Sequence, residues 1–316
     1  MSVAVAAAVV ASSPAAAPKR TLLAPARITG LAADGGHVAF AVARRRGDCA
    51  HVRLWTPATG KVVRFGAARA CGPATSTGSG LVGPTLARTR ALWLTYTGGN
   101  IREWTLWSAS LASPRPRRVR FVARDVDSAA PLVLGEGDAS RFGYRLPYAE
   151  DDVVSIIETN TGNRGTYAWW RAPERIVAVG AKRGTVAAAF GNQVGVLAPD
   201  GTVETESFRA PVDRIVVEGD SLLVQYGRTL ERRGAGSPRT WTLAPGARLA
   251  DAEEGLAVYV LRGAVHVLRL VDGRDVARTT GARTAFGQLD GTGLVVAADR
   301  RLTIVPRSAV LARLGA

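Results

Sequence analysis

The sequence predicts an all-β fold built from repeated four-stranded units, and three observations support this. Short runs of Val, Leu and aromatic residues recur along the 316 residues, separated by Gly, Pro and Asp-Gly pairs, a pattern typical of antiparallel strands joined by tight turns. No amphipathic helical run of useful length competes with them. A hydrophobic fraction of 47% with 35 Gly and 16 Pro fits a turn-rich globular domain better than a disordered chain.

The clearest unit is residues Leu31 to Gly66. A first strand ends at the Asp34–Gly36 turn, and three further strands follow. Their predicted bounds are His37–Ala43, His51–Trp55 and, after a Pro57–Gly60 turn, Lys61–Phe65.

Six looser copies of this unit follow, so seven units span the chain. Their second strands are marked by Val38, Leu92, Tyr144, Val186, Leu223, Val258 and Val295. These markers lie about 35 to 55 residues apart, which brackets the period of a four-stranded propeller blade. A string of immunoglobulin-like sandwiches would also give regular short strands, but it would not return to the same order of strands and turns. We therefore predict a single β-propeller domain of seven four-stranded blades over residues 21–316.

Several pieces of the first unit carry a family resemblance. Ala33–Gly36 precedes the apolar His37–Phe40, and Val52–Trp55 and Thr59–Lys61 follow. This pattern resembles the WD40-like repeat of TolB-type β-propellers, and Asp-Gly pairs recur at Asp200, Asp272 and Asp290. The resemblance implies the propeller architecture and a possible role in assisting envelope assembly.

The Thr59–Lys61 turn is also similar to quinoprotein propeller repeats. Those repeats need a tryptophan four residues after the glycine, and Arg64 stands there. We therefore predict no cofactor.

Closure of a propeller ring requires the first and last blades to be joined. The seventh unit is the shortest, so its last strand comes either from Thr21–Pro25 or from Val310–Leu314. Both arrangements are compatible with the sequence.

The first residues have the character of a secretory signal. Val3–Ala11 is an apolar run followed by small residues and prolines, although the basic segment that usually precedes such a run is missing. We interpret residues 1–11 as a signal peptide and residues 12–20 as a disordered linker, with an Ala-rich tail as the alternative. No run approaches the roughly 20 apolar residues of a membrane span. We expect a secreted or extracytoplasmic protein without a transmembrane segment.

Cys49 and Cys71 are the only cysteines, an even number in a chain predicted to be exported. Cys49 precedes the third strand of the first unit and Cys71 follows its fourth. The hairpin between them should bring both to the same end, so we predict a Cys49–Cys71 disulfide. The same two cysteines with His51 are too few for a zinc site, and we predict no metal.

The charge is strongly positive, with a net charge of +15 and arginine as 38 of the 41 basic residues. These residues are scattered over the whole chain, whereas nucleic-acid binding would concentrate them on one stripe or helix. We therefore expect no nucleic-acid partner. A protein or an anionic polymer of the cell envelope fits the charge better.

The candidate binding residues lie in long, charged connections. In a four-stranded blade, the turns between second and third strands and the links between blades emerge on one side, and functional residues concentrate in such loops. The residues predicted to bind there are Arg44, Arg45, Arg46, Asn100, Arg102, Glu150, Asp151 and Asp152. The three histidines (His37, His51 and His266) and the tryptophan clusters are interpreted as packing residues, with aromatic platforms for sugars as the alternative for the tryptophans.

Two functions remain open. The first is an exported, monomeric, non-catalytic propeller that acts as a binding or scaffold module at the cell envelope. The alternative is a propeller enzyme, a lyase or a glycan-active hydrolase, with its site at the central channel. An enzyme should bring His, Asp, Glu or Arg from several blades to the channel mouth, whereas a scaffold should place small or apolar residues there.

Overall fold

The computed structural model is a β-propeller of seven blades, as the sequence predicts. It describes residues 20–44, 48–66, 78–140, 143–159, 164–197, 202–234 and 237–315. Every blade is an antiparallel sheet, and the inner strands of consecutive blades are neighbours around a central channel.

The strands of the first four blades are given from the inner to the outer strand. Blade 1 contains β2 (Ile28–Asp34), β3 (His37–Val42), β4 (His51–Thr56) and β5 (Lys61–Phe65). Blade 2 contains β6 (Ser79–Ala87), β7 (Arg90–Gly98), β8 (Ile101–Ser110) and β9 (Ser113–Asp125). Blade 3 contains β10 (Leu132–Leu134) with β11 (Asp138–Ser140), then β12 (Gly143–Glu150), β13 (Val153–Thr159) and β14 (Arg164–Arg171). Blade 4 contains β15 (Ile176–Lys182), β16 (Thr185–Phe190), β17 (Gln193–Leu197) and β18 (Val203–Ser207).

The remaining three blades complete the ring. Blade 5 contains β19 (Arg214–Glu218), β20 (Ser221–Tyr226), β21 (Thr229–Gly234) and β22 (Arg239–Thr242). Blade 6 contains β23 (Arg248–Glu253), β24 (Leu256–Leu261), β25 (Ala264–Arg269) and β26 (Asp275–Thr279). Blade 7 contains β27 (Ala285–Asp290), β28 (Gly293–Ala298), β29 (Arg301–Pro306) and the N-terminal β1 (Thr21–Leu23). A short helix, α1 (Arg307–Arg313), follows β29.

Closure uses the N-terminal strand. β1 pairs antiparallel with β29, with Thr21 opposite Thr303 and Leu23 opposite Arg301. The other segment considered for this role, Val310–Leu314, belongs to α1 and the residue after it, and Val310 and Leu314 pack against blades 6 and 7. The first of the two closure arrangements is therefore the one observed.

The hydrophobic core lies between the blades. Among the described residues, the buried apolar side chains form seven clusters, and each cluster joins two neighbouring blades. Successive side chains of a strand point to opposite faces of its sheet, so one strand contributes to two clusters. In β3, for example, Val38 and Phe40 pack toward blade 7 while Ala39 packs toward blade 2.

Blade 3 is less regular than blade 1. Its second strand is Gly143–Glu150, and its inner strand is split into β10 and β11. Between the two pieces, Glu136 forms an isolated parallel bridge with Gly180 of blade 4. A Cβ at Gly135 would lie 2.7 Å from the Val179 carbonyl oxygen, so this close approach to blade 4 requires glycine.

Two of the Asp-Gly turns link neighbouring blades. Asp34 Oδ2 accepts the backbone N–H of Arg88 in blade 2 at 2.5 Å, and Asp290 Oδ2 accepts that of Gly36 in blade 1 at 2.9 Å. Glu218 makes the equivalent bond to Gly255 between blades 5 and 6. These carboxylates therefore hold one blade to the next, and the repeated motif has an architectural role.

Candidate functional site

The two ends of the ring differ. We call the end with the turns between second and third strands and the links between blades the upper face. The lower face carries the turns between first and second strands and between third and fourth strands. Those predicted binding residues that the structure describes belong to the upper face.

A groove lies between blades 1 and 2 and reaches the upper face. Its volume is about 490 Å³, within the usual range of small-ligand sites. We call it the aromatic groove. Its lining includes Phe65, Leu81, Trp93, Tyr96 and Trp107, together with Arg44, His51 and Arg64.

The aromatic residues of this groove are fixed by their neighbours. Trp93 stacks on Phe65 with ring centroids 6.1 Å apart, and Trp107 Nε1 donates to Thr95 Oγ1 at 2.9 Å. The Tyr96 ring packs on Trp104 at 4.9 Å. Because these rings are already ordered, a ligand that binds them orders few side chains on contact.

The charge of the aromatic groove comes from arginine. Arg44 is exposed, while Arg64 Nη2 lies 2.9 Å from Asp48 Oδ1. Burial lowers the pKa of His51, and its Nε2 accepts a hydrogen bond from Arg53 Nε at 2.9 Å. His51 is therefore a neutral packing residue at pH 7, as the sequence interpretation expected.

The predicted binding residues are placed as follows. Arg44 and Asn100 are exposed on the upper face, and the Arg102 guanidinium lies 5.1 Å from the centre of the Tyr96 ring. Arg45, Arg46 and Cys71 lie outside the described residues. The Cys49–Cys71 disulfide therefore stays a prediction.

The acidic cluster of the upper face is paired with arginine. Arg120 binds Glu150, Arg124 Nη2 lies 2.9 Å from Asp151 Oδ2, and Arg171 Nη1 lies 2.5 Å from Asp152 Oδ2. Arg120 and Arg124 belong to the outer strand of blade 2, so their two ion pairs join blades 2 and 3. Exposed pairs of this kind contribute little stability, but they leave the three carboxylates less available to a partner.

The second site lies at the central channel, near the lower face. A cavity of about 70 Å³ is lined by inner-strand residues of six blades, and we call it the axial cavity. Its ionisable residues are Asp34, Glu136, Asp138, Lys182, Asp251, Glu253 and Asp290. Polar residues from several blades thus converge here, which is the arrangement expected of an enzyme rather than of a scaffold.

Burial raises the pKa of several of these carboxyl groups. It raises the pKa of Asp34 to about 6, with Asp290 and Asp138 adding to the shift while the Arg88 N–H and Lys182 oppose it. It also raises the pKa of Asp251 to about 6 and that of Glu136 well above its usual value. The folded protein therefore holds protons here at pH 5 that the unfolded chain releases.

This difference predicts a pH-dependent effect of Asp34→Asn. Because the pKa of Asp34 is raised on folding, its ionisation costs stability as pH rises from about 4 to above 6. We expect Asp34→Asn to raise Tm relative to the parent protein by a few degrees at pH 7.5 and by much less at pH 4.5. Differential scanning calorimetry at the two pH values measures this.

Asp272→Asn is the control for that experiment. Arg269 lowers the pKa of the exposed Asp272 to about 2, so this substitution should have the same effect at both pH values. If the effect of Asp34→Asn on Tm were the same at pH 7.5 and pH 4.5, the ionisation of the buried Asp34 carboxyl group would not cost stability, contrary to the prediction.

Comparison with known proteins supports the fold. No family model matches the chain, and no curated protein matches its sequence. Among solved structures, the WD40 β-propeller domain of Doa1 superimposes with a TM-score of 0.56 at 13% identity, over 91% of this chain and 95% of that one. Human WBSCR16 superimposes with a TM-score of 0.56 at 9% identity, over 89% of this chain and 88% of that one. The fold is similar to that of a WD40 β-propeller.

The WD40-like architecture predicted from the first unit is therefore confirmed. At these identities the similarity concerns the fold alone. Function has to be argued from the aromatic groove and the axial cavity. Among the described residues, no helix is long and apolar enough to cross a membrane.

The sequence predicted binding at the upper face but did not predict the aromatic groove. The sequence interpretation assigns the cluster of Trp93, Trp104 and Trp107 to packing, which is correct for Trp93 at 4% exposure and Trp104 at 7%. The signal that could have revealed the groove is Gly80, where a Cβ would lie 2.6 Å from the Tyr96 ring. Glycine at that position lets the aromatic ring lie flat against the inner strand.

Proposed function

We propose that the protein is an exported, monomeric, non-catalytic binding module at the cell envelope. In this proposal the upper face of the first three blades binds an acidic partner, either a protein segment or an anionic envelope polymer. The propeller fold is consistent with a binding or scaffold module. The export proposal rests on the apolar Val3–Ala11 run and on the cysteine pair.

The observation that carries this proposal is the aromatic groove. It combines ordered aromatic walls with arginine at its edge, and buried aromatic anchors and arginines supply most of the affinity in protein interfaces. The net charge of +15 attracts acidic partners from a distance. An acidic chain that places an apolar or ring-shaped group in the groove would use both features.

The alternative, an enzyme at the central channel, gains support from the converging carboxylates. The size of the axial cavity opposes glycan chemistry there, since about 70 Å³ is far below the roughly 300 Å³ of the smallest typical ligand pockets. A binding function for the upper face is therefore the better supported proposal.

The test compares two triple variants. Replacement of Arg44, Arg45 and Arg46 by Ala should weaken retention of the partner from native envelope fractions by at least about tenfold, because it removes Arg44 from the lining of the aromatic groove together with the two arginines that follow it in sequence. The control variant keeps Arg274, since its Nη1 donates to the Leu314 and Gly315 carbonyls at 3.1 Å and its removal would disturb the C-terminal contacts. The matched control removes Arg209 from the link after blade 4, Arg278 from blade 6 and Arg283 from the link after blade 6.

Biolayer interferometry of the immobilised variants against solubilised envelope measures retention. Protease treatment of the fraction abolishes the signal if the partner is a protein, and glycan hydrolysis abolishes it if the partner is a polymer. Equal weakening in both triple variants would leave only diffuse charge attraction and would reject the assignment of the face.

A further inference from the structure

The axial cavity has far more negative than positive groups. Six carboxylates line it, and Lys182 is the only basic side chain among the lining residues. Lys182 Nζ lies 3.5 Å from Glu253 Oε1 and 3.5 Å from the Ala252 carbonyl oxygen. One ammonium group is therefore shared among carboxylates from four different blades.

Several of these carboxylates already have backbone partners. Asp138 Oδ2 accepts the N–H of Gly184 at 2.9 Å. The two oxygens of Asp251 accept the N–H groups of Ala252 at 2.7 Å and Leu289 at 2.5 Å. Asp34 and Asp290 bind the neighbouring blades. These groups are held in place and supply a fixed negative field.

Two buried polar atoms of the lining have no hydrogen-bond partner among the described residues. They are Thr85 Oγ1 and Glu253 Oε2. Thr85 is only 8% exposed, and a buried polar group without a partner costs about 1 to 3 kcal/mol. Both atoms can accept a hydrogen bond, so the cavity lacks a donor.

We propose that the axial cavity binds a primary ammonium group. Such a group brings positive charge and three N–H donors, which match the acidic lining and the unpartnered oxygens of Thr85 and Glu253. The volume of about 70 Å³ equals roughly two water molecules, enough for an aminomethyl group. Divalent metals need several oxygen ligands in one shell, and among the described residues no set of three His, Cys, Asp or Glu side chains is arranged to hold one.

The raised pKa values of Asp34, Asp251 and Asp290 are consistent with this site. A buried carboxyl group without enough positive charge nearby takes up a proton instead. Binding of an ammonium group therefore releases protons and is tighter at pH 8 than at pH 5. The site lies on the opposite side of the ring from the aromatic groove, so it stands independently of the upper-face function.

The ammonium group has two sources, a small free amine or the lysine side chain of a partner polypeptide. Ethylammonium chloride represents the first, and the peptide acetyl-Gly-Lys-Gly-amide represents the second. Tetramethylammonium chloride and potassium chloride at equal ionic strength are the ligand controls, because they carry the charge without N–H donors. Isothermal titration calorimetry of the full chain at pH 8 and pH 5 measures binding.

Matched variants locate the site. Thr85→Val and Glu253→Gln should each weaken binding of ethylammonium about tenfold, and Thr85→Ser should restore it because it keeps the hydroxyl. Glu254→Gln changes the same charge one residue away, but Glu254 pairs with Arg307 and does not line the cavity, so binding should be unchanged. Tm of each variant confirms that it is folded.

Ethylammonium binding that is lost in Thr85→Val and kept in Glu254→Gln supports the proposal. At about ten times its Kd, ethylammonium should also raise Tm by about 2 to 3 °C. If the affinity for the lysine peptide is at least tenfold higher than that for ethylammonium, the natural ligand is a polypeptide. If ethylammonium binds at least tenfold more tightly than the peptide, the natural ligand is a free amine. The proposal is overturned if neither ethylammonium nor the lysine peptide binds. It is also overturned if potassium or tetramethylammonium binds as tightly as ethylammonium.

Discussion

Deletion of residues 19–24 should lower the melting temperature by about 10 °C or more. The segment contains β1, the outer strand of blade 7, and Ala24 N donates to the Arg300 carbonyl oxygen at 2.7 Å. Ala24 is 1% exposed, and Leu22 packs in the cluster between blades 7 and 1. The deletion removes about four hydrogen bonds at about 1 kcal/mol each and the burial of Leu22 and Ala24. Together these losses lower the free energy of unfolding by roughly 5 kcal/mol, which corresponds to a decrease in Tm of about 10 °C.

Two point variants separate strand pairing from side-chain packing. Leu22→Ser should lower Tm by several degrees because Leu22 is partly buried in the cluster between blades 7 and 1. Leu23→Ser should have little effect because Leu23 is 67% exposed. Thermal unfolding followed by circular dichroism measures all three variants. A deletion that left Tm within about 2 °C of the parent protein would show that β1 does not close the ring.

Gly30→Ala should destabilise the protein by about 2 kcal/mol or more. A Cβ at this position would lie 1.9 Å from the Gly83 carbonyl oxygen and 2.7 Å from its carbon. Both residues belong to inner strands of adjacent blades, where the backbone cannot move without disturbing the ring. Overpacking in a core typically costs about 1 to 3 kcal/mol and sometimes more.

Gly291→Ala is the matched control for this substitution. A Cβ there meets no atom within 4 Å, and Gly291 has no left-handed backbone conformation. Urea unfolding of both variants gives the free energies of unfolding. Equal values for the two variants would mean that blades 1 and 2 tolerate a side chain at Gly30, contrary to the close approach described above.

Much of the fold could be predicted from the sequence because the blade is a local unit. In blade 1 the predicted strands His37–Ala43, His51–Trp55 and Lys61–Phe65 agree with β3, β4 and β5 to within one residue. Each of these strands pairs with the next along the chain, and connections that contain Gly or Pro mark the ends of the strands. Blade 3 was less predictable because its inner strand is split at Glu136, where packing against blade 4 decides the path.

The candidate sites depended more strongly on tertiary structure. The sequence alone determined the all-β class, the seven repeated units, the WD40-like turns and the charge of the upper loops, because these follow from local residue patterns. Only the tertiary structure decided that β1 rather than Val310–Leu314 closes the ring, since both segments could pair with β29. It also brought together Asp34, Glu136 and Asp251, which lie more than 100 residues apart from one another in sequence and meet only because seven inner strands surround one axis.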